Sequence, residues 1–346
     1  MTTDAARGVR AIAKGAEDAP LVTLEDVRRA AANLAGVAAR TPLVPFGTVP
    51  GGSAQVLLKA ESLQGIGAFK IRGAYHAIAT LSAGERARGV VTHSSGNHAQ
   101  GVARAARLLG ARAVIVMPSD APAVKRRRVE ADGAEVVTVG PASTEREAKA
   151  RELIKEHGLV FIPPYDDDRV IAGQGTVGLE IAEEVPDLAA VLVPIGGGGL
   201  ASGVSVAIRA LRPGAQIIGV EPELGADAQQ SLREGRIVRW DAASTGATMA
   251  DGTRTQAIGR RPFLHLSKLL DDVVTVSEAE IAAAVRLIAE EARLVAEPSG
   301  ALAPAAARFR AAEASLAGVS GTVVAVISGG NVDADRYRAL LESPLP

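Results

Sequence analysis

The sequence predicts an α/β protein with two lobes, each an open, mostly parallel twisted sheet flanked by helices. The first observation behind this prediction is length, because 346 residues exceed what a single hydrophobic core usually organises. The second is that short apolar runs alternate with helix-length segments between Val90 and Ile327. Such alternation indicates right-handed crossovers between parallel strands, with helices covering the sheets.

Composition limits the classes of protein and partner. Hydrophobic residues make up 47% of the chain but aromatic residues only 3%, so alanine and branched aliphatic side chains must build the core. The formal net charge of -1 gives no attraction to nucleic acid or to an anionic membrane. The lack of cysteine excludes disulfides and thiolate metal sites. No segment has the apolar length of a membrane span or a signal core, so we expect a cytoplasmic protein without nucleic-acid or membrane partners.

The first elements lead into a strand–turn–helix unit. Residues 1–20 carry no clear pattern and are expected to be a mobile leader. Thr23 is an N-cap candidate for a helix that runs to about Leu34. The apolar run 56–58 predicts a buried strand. After two glycines, a helical pattern opens at Lys70.

The next stretch predicts a small lobe. Strands are expected at 89–92, 113–117, 135–139 and 159–162, with helices through 125–131 and 145–156. The run Lys125-Arg126-Arg127-Arg128 is interpreted as an exposed helix turn, given the neutral net charge. Pro163-Pro164-Tyr165 marks a break. We therefore place a small domain at 87–165 and a large domain at 1–86 and 166–346.

A second series of elements completes the large lobe. Residues 236–272 are expected to form loops and a short helix, and Ser277 with Glu280 matches a capping box. The predicted helices are 170–184 and 200–211, and the predicted strands are 190–194, 216–221, 273–276 and 322–327.

Lys70 is placed where its chemistry is altered. The partial positive charge at a helix N-terminus disfavours the ammonium and lowers the lysine pKa. Only a free amine attacks an aldehyde, so such a lysine suits carbonyl chemistry. The alternative is an ordinary surface lysine at the start of a helix, and the accompanying motifs must decide between these two interpretations.

The tetraglycine turn Gly196–Gly199 follows a predicted strand and opens a helix. Glycines let the backbone approach an anion, and the helix N-terminus presents N–H groups to it. A cofactor phosphate and a dinucleotide pyrophosphate both fit, and Glu221 lies at roughly the distance of the acid that a dinucleotide site needs. A dinucleotide would serve hydride transfer, which does not need the lysine motif. The lysine motif therefore favours a cofactor phosphate as the ligand of the turn.

Five motifs occur together and in a characteristic order. They are 61–74 around Lys70, Ser94–Gly101, Gly196–Leu200, Glu297–Ala301 and Ser328–Asn331. This arrangement resembles the fold-type II pyridoxal-phosphate enzymes, in the threonine/serine dehydratase and serine racemase branch. The resemblance extends from about Leu21 to the C-terminus. It implies that the large domain binds pyridoxal phosphate and that the small, mobile domain closes over the substrate.

The resemblance implies roles for individual residues. Lys70 would carry pyridoxal 5'-phosphate, Asn97 would reach its 3'-oxygen, and Ser328 would face the pyridine nitrogen and leave it largely neutral. Ser95 would be a second acid/base opposite Lys70. The implied cofactor-binding residues are Phe69, Lys70, Asn97, Gly196, Gly197, Gly198, Gly199, Leu200, Glu297, Ser328 and Gly329. The implied substrate-binding residues are Ser94, Ser95, Gly96, Asn97, His98 and Arg146. For the imidazole of His98 itself, a structural, hydrogen-bonded role is the favoured interpretation.

The same family resemblance implies a divalent cation. Glu221 and Asp227, with the backbone carbonyl of Gly225 between them, form an all-oxygen ligand set suited to Mg²⁺, Ca²⁺ or Mn²⁺. A solvated acidic loop is the alternative.

The expected reaction is dehydration of a β-hydroxy amino acid such as L-threonine or L-serine to a 2-oxo acid and ammonia. Serine racemisation and threo-3-hydroxyaspartate dehydration are the alternative reactions, and a ligand-sensing or scaffold protein is the non-enzymatic alternative.

Ala68 replaces the serine usual in the family, and Tyr165 stands where dehydratases often have an aromatic residue. Tyr165 favours the dehydratase. Relatives are often dimers, so we expect a homodimer acting on a small-molecule amino acid.

Overall fold

A computed structural model describes residues 20–94, 96–121 and 123–346. Most of the predicted leader, residues 1–19, lies outside these ranges. The described residues form two sheets flanked by helices, as the sequence predicted. None of their helices combines the length and apolar character needed to cross a bilayer.

The larger sheet has six strands in the order β1-β2-β10-β7-β8-β9. All neighbouring pairs are parallel except β1 with β2. The smaller sheet has four parallel strands in the order β5-β4-β3-β6. The strands are β1 Leu43–Thr48, β2 Gln55–Ala60, β3 Val90–His93, β4 Ala113–Pro118, β5 Glu135–Val139, β6 Val160–Phe161, β7 Leu188–Pro194, β8 Gln216–Pro222, β9 Asp272–Val276 and β10 Thr322–Ile327.

The helices begin largely where the sequence placed them. Thr23 caps α1 in a capping box, and Ser277 caps α12 in another, as predicted. The segment 236–272 contains more helix than expected, because α10 and the ten-residue α11 both lie there. The helices are α1 Leu24–Asn33, α2 Lys70–Ala79, α3 Ala83–Arg88, α4 Asn97–Leu108, α5 Ala123–Ala131, α6 Ser143–His157, α7 Asp168–Glu184, α8 Gly199–Leu211, α9 Asp227–Glu234, α10 Ala242–Gly246, α11 Arg260–Leu269, α12 Glu278–Leu287, α13 Pro298–Phe309 and α14 Ala334–Leu341, with a π-helical turn at Ile288–Ala292.

Each sheet has its own apolar core. Strands β2, β7, β8, β9 and β10 alternate their buried side chains between two clusters, one against α12 and α13 and one against α7, α8 and α11. In the smaller sheet, Val90, Ile115 and Met117 are buried with the apolar face of α4. Helix α2 contributes Ile71, Ala74 and Ile78 to this same cluster. Helix α2 therefore joins the smaller sheet's core, although Lys70 at its start follows the larger sheet's β2.

Glycines bring three helices into close backbone contact. A Cβ atom added at Gly173 on α7 would lie 2.6 Å from Gly73 Cα on α2. A Cβ atom added at Gly203 on α8 would lie 2.4 Å from the backbone nitrogen of Gly175 on α7. Larger residues at these positions would force the helices apart. Helices α2, α7 and α8 therefore form one tightly packed layer.

Candidate active site

A cleft of about 650 Å³ lies where strands of both sheets end. His93, Pro118 and Pro194 are the last residues of β3, β4 and β7, and all three line it. The carboxyl ends of parallel strands are the usual place for ligands in open α/β sheets. The predicted residues that line this cleft are Phe69, Lys70, Ser94, Gly96, Asn97, His98, Arg146, Gly196, Gly197, Gly198, Gly199, Leu200, Glu297 and Ser328.

Lys70 is the first residue of α2, as predicted, and its amine faces the cleft. Nζ donates a hydrogen bond of 2.7 Å to the carbonyl oxygen of Pro164 and lies 5.0 Å from the Phe69 ring centroid. Burial lowers the pKa of Lys70 to about 8. The helix N-terminus proposed from the sequence is therefore not the main cause; removal of the ammonium from water is.

Beneath Lys70, a buried charge cluster holds the first turn of α2. It comprises Arg72, Glu61, Glu180 and Lys59. Arg72 is 1% exposed and donates to both Glu61 carboxylate oxygens at 2.8 Å. Arg72 also bonds Glu180 at 2.6 and 3.0 Å, and Lys59 pairs with Glu180 at 2.7 Å. Two positive and two negative groups thus satisfy one another, and they tie α2 to β2 and α7.

The tetraglycine turn has its backbone open to the cleft. Gly198 adopts φ +91°, a conformation that favours glycine, and α8 begins at the next residue. A Cβ atom added at Gly197 would lie 2.1 Å from Cδ1 of Tyr165. The Tyr165 ring therefore lies directly against the turn. Backbone N–H groups at a helix start with no intervening side chains are the arrangement that phosphate requires.

Asn97 and Glu297 meet across the cleft. The Asn97 amide nitrogen donates a hydrogen bond of 2.7 Å to Glu297 Oε1. Asn97 begins α4 of the smaller sheet, whereas Glu297 is the N-cap residue of α13 in the larger-sheet layer. Burial, with the nearby Asp251 charge, raises the pKa of Glu297 to about 8. At neutral pH the Glu297 carboxyl is therefore largely protonated and adds little negative charge to the cleft.

Ser328 directly follows β10 and is buried. Its hydroxyl donates a hydrogen bond of 3.4 Å to the carbonyl oxygen of Ser299. Its own carbonyl accepts from the Phe69 backbone at 3.1 Å, and Gly329 bridges to Ala68. These contacts bring the end of β10 beside the segment that enters α2.

The Ser94–His98 turn connects β3 to α4. The Ser94 hydroxyl accepts from the Gly96 backbone at 3.2 Å. His98 is buried, and its Nε2 lies 2.9 Å from the carbonyl oxygen of Ile162, so Nε2 carries the proton. Burial lowers the pKa of His98 to about 3, and the imidazole is neutral. Ser95, the predicted second acid/base, lies outside the described residues.

Two cationic side chains of the smaller-sheet layer also line the cleft. The side chain of Arg146 on α6 makes no hydrogen bond or ion pair within the described ranges. Lys125 on α5 pairs with Asp251 at 3.2 Å. The interpretation of 125–128 as an exposed helix turn is thus incomplete, because Lys125 and Arg128 both contact the larger-sheet layer. Those contacts span more than a hundred residues of sequence and could not be deduced from charge alone.

Glu221 and Asp227 form a fully buried acidic pair. Glu221 accepts hydrogen bonds from the backbone of Ala228 and Gln229 at the start of α9. Neither carboxylate oxygen of Asp227 has a hydrogen-bond partner among the described residues. Burial raises the pKa of both groups, that of Asp227 to about 7, and the Asp227 charge contributes to the rise at Glu221. Two neighbouring buried carboxylates, of which Asp227 has no hydrogen-bond partner among the described residues, are an environment that a cation stabilises.

Comparison with known proteins identifies the family. Residues 34–329 match the family described as pyridoxal-phosphate dependent enzymes. This chain belongs to that family. The L-threo-3-hydroxyaspartate ammonia-lyase of Saccharomyces cerevisiae is 45% identical over 83% of the chain and 86% of the relative. The L-threonine ammonia-lyase of Thermotoga maritima is 44% identical, over 94% of the chain and 79% of the relative. The maize serine racemase structure has a TM-score of 0.87 at 36% identity, covering 92% and 97% of the two chains.

The residues present fit a pyridoxal-phosphate enzyme. The cleft combines a lysine whose pKa is close to neutrality with a glycine turn at a helix N-terminus. The first can bind an aldehyde covalently and the second can hold a phosphate. The family match and the similarity to the maize structure confirm the predicted family and the α/β fold class.

Several residues around the cleft were not predicted. Pro164 accepts the Lys70 hydrogen bond, Asp251 pairs with Lys125, and Arg72 anchors the helix that carries the lysine. A sequence signal existed only for the charge cluster, since Lys59 interrupts the apolar strand β2. The other contacts involve loops whose positions depend on the folded chain.

Proposed function

We propose that this pyridoxal-phosphate dependent enzyme dehydrates a β-hydroxy amino acid to a 2-oxo acid and ammonia. The main support is that the Lys70 amine, the Gly196–Gly199 turn and the Ser328 hydroxyl line one cleft. A hydroxyl beside the pyridine nitrogen leaves that nitrogen neutral and favours loss of a β-substituent over prolonged carbanion chemistry. The ammonia-lyase names of two relatives agree with this proposal.

The chain's own groups have distinct tasks in this reaction. Pyridoxal phosphate held by Lys70 and the Gly196–Gly199 turn would supply an electron sink for the substrate α-carbon. The N–H groups of the Ser94–His98 turn bind the substrate carboxylate, and Lys70 Nζ accepts the α-proton. A pKa of about 8 lets Lys70 hold or release that proton near neutral pH. Glu297, largely protonated, and Asn97 line the same cleft and would border the cofactor.

A second candidate substrate is L-threo-3-hydroxyaspartate. The observation that favours it is Arg146, whose guanidinium lines the cleft without a partner in the described residues. A second carboxylate on the substrate would satisfy this charge. Racemisation with Lys70 and Ser95 on opposite faces of the substrate is the alternative in another reaction class.

Product analysis separates these reactions. The purified, cofactor-loaded enzyme is incubated with L-threonine, L-serine or L-threo-3-hydroxyaspartate, and 2-oxo acids are measured beside chiral chromatography. A 2-oxo acid as the main product supports the lyase. D-serine as the main product of L-serine would overturn it in favour of the racemase, and no product from any of the three would contradict enzymatic turnover of this substrate class.

We expect Arg146→Ala to lower kcat/KM for L-threo-3-hydroxyaspartate by about 30-fold, because a charged hydrogen bond to its second carboxylate is lost. For L-serine the change should stay within about threefold, since that carboxylate is missing. Steady-state kinetics with both substrates provide the measurement. Arg151→Ala is the matched control, because Arg151 is an exposed arginine of the same helix. An equal loss with both substrates would contradict this role.

We also propose a divalent cation held by Glu221, the Gly225 carbonyl and Asp227. The described residues contain no cluster of three or more acidic, histidine or cysteine side chains that fits a metal. The protein would therefore supply two carboxylates and one carbonyl, and water the remaining ligands. The support is the buried, unpartnered Asp227 carboxylate.

Addition of Mg²⁺ or Ca²⁺ to the chelator-treated enzyme is expected to raise its unfolding temperature by about 3 °C, because cation binding stabilises only the folded state. Differential scanning fluorimetry measures this shift. Asp227→Asn should abolish the response, whereas Asp335→Asn, at an exposed acid, should retain it. The same shift in wild type and Asp227→Asn would rule out this site.

Three expectations from the sequence stay predictions. They are the domain boundaries at 86/87 and 165/166 with movement of the smaller lobe, the homodimer, and the cytoplasmic location. The four-stranded sheet lies within residues 90–161, which is compatible with the first of them.

A further inference from the structure

Four side chains form a continuous hydrogen-bonded chain from the surface to the cleft. Arg128 Nη1 donates to Asn331 Oδ1 at 2.9 Å, and Asn331 Nδ2 donates to Asn97 Oδ1 at 2.8 Å. Asn97 Nδ2 in turn donates to Glu297 Oε1 at 2.7 Å. Arg128 and Asn97 belong to helices of the smaller-sheet layer, whereas Asn331 and Glu297 belong to the larger-sheet layer. The chain therefore alternates between the two layers.

The direction of this chain is fixed by groups that cannot reverse. A guanidinium only donates, so the Asn331 atom that faces Arg128 must be the oxygen. A backbone carbonyl only accepts, and the other Asn331 amide atom lies 2.8 Å from the Ile66 carbonyl oxygen. That atom must be the nitrogen. Both neighbours thus assign the same orientation to the Asn331 amide.

The orientation of Asn331 determines that of Asn97. The Asn331 nitrogen carries two hydrogens, one for Ile66 and one for Asn97. The Asn97 atom that receives the second must be its oxygen, so the Asn97 nitrogen is left to face Glu297 and the cleft. One N–H of that nitrogen is used by Glu297, and the other is available to a ligand.

The position of Asn331 itself is sterically constrained. A Cβ atom added at Gly67 would lie 2.5 Å from Asn331 Oδ1 and 3.0 Å from its Nδ2. Gly67 adopts φ +74°, so this site favours glycine, and the Asn331 amide lies directly on it. The Gly330 backbone also bonds the Gly67 carbonyl at 2.9 Å. The amide therefore has a defined place against the segment that precedes Lys70.

We propose that Asn331 is a positioning residue that holds the Asn97 amide with its NH₂ group toward the cleft, so that the 3'-oxygen of the bound cofactor meets a hydrogen-bond donor. The proposal rests on the family's cofactor and on the expected contact of Asn97 with it. It does not depend on whether the enzyme is a lyase or a racemase. An Asn97 carbonyl in that place would repel the anionic 3'-oxygen, whereas an N–H group stabilises it.

Asn331→Asp tests the proposal because it keeps size and shape but cannot donate to Asn97. An aspartate accepts from the Asn97 nitrogen instead, which reverses the Asn97 amide. The affinity of the cofactor-stripped, full-length enzyme is measured by equilibrium dialysis for pyridoxal 5'-phosphate and for its 3-deoxy analogue. We expect binding of pyridoxal 5'-phosphate to weaken about tenfold. Binding of the analogue, which has no 3'-oxygen, should change less than about twofold.

Two further variants keep the test decisive. Asn331→Ala removes the donor without supplying an acceptor and should show the same selectivity with a smaller effect, even where the aspartate variant folds poorly. Arg127→Ala, at an exposed arginine beside Arg128, should bind both compounds as the wild type does. Equal weakening of both compounds by the Asn331 variants would assign Asn331 a purely structural role and overturn the proposal. Unchanged binding of both compounds would overturn it as well.

Discussion

The Lys70→Ala variant is expected to lose activity by about 10³-fold or more and to lose all covalent attachment of the cofactor. The reason is that, in the proposed function, Lys70 provides both the amine that binds the aldehyde and the base that receives the α-proton. Its pKa of about 8 makes both tasks feasible near neutrality. Borohydride reduction followed by peptide mass mapping measures attachment, and the pyridoxyl adduct should occur on the peptide that contains Lys70 in the wild type only.

The rate of attachment should also depend on pH with a definite sign. The ammonium does not react, and the free amine increases as pH rises through the pKa of about 8. The reactive fraction is about one tenth at pH 7 and about half at pH 8, so attachment should accelerate about fivefold over that interval and level off above pH 9. Lys268→Ala, at an exposed lysine of α11, is the control and should keep both the adduct and its pH profile. An adduct on another lysine would refute the assignment of Lys70.

Arg72→Met is expected to lower the free energy of unfolding by about 3–5 kcal/mol. The variant leaves the buried Glu61 and the largely buried Glu180 with only Lys59 to compensate their charges. Removing one partner of a buried ion pair is far more costly than removing an exposed one, because the remaining charge cannot be solvated. Denaturant unfolding followed by circular dichroism provides the measurement. Since Arg72 anchors the first turn of α2, activity should fall with stability.

Arg40→Ala is a closely matched comparison. Arg40 also pairs with two glutamates, Glu183 and Glu184, but its side chain is 51% exposed. Loss of such pairs should cost less than about 1 kcal/mol. A comparable loss in the two variants would show that burial does not govern the contribution of the Arg72 cluster.

Local sequence patterns were sufficient to predict most of the helices and strands. The apolar runs at β5 and β10 match their observed bounds, and α2 opens at Lys70 as the sequence indicated. These elements are identified by patterns within about ten residues, and their motifs follow the carboxyl ends of strands. The residues expected around the cleft came instead from the family resemblance, whose motifs lie at strand ends and helix starts, and their roles stay predictions.

Contacts between distant residues were not accessible to that reasoning. Arg72 and Glu180 are 108 residues apart, and Arg128 and Asn331 are 203 apart. A charged residue in a sequence is ordinarily expected at the surface, so burial of Arg72 and Lys59 contradicts the general pattern. The sequence analysis attributed the lowered pKa of Lys70 to the helix N-terminus. The main cause is burial, and the extent of burial is a property of the folded protein.

The glycine contacts among α2, α7 and α8 have a consequence for the reach of the cofactor. Lys70 starts α2 and Gly199 starts α8, so the groups proposed to hold the aldehyde and the phosphate of the cofactor lie at the starts of helices in the same layer. The span between these two anchors is therefore set by backbone-to-backbone contact. We therefore expect a cofactor analogue with a longer phosphate arm to bind more weakly, because helices in backbone contact cannot move apart to admit it.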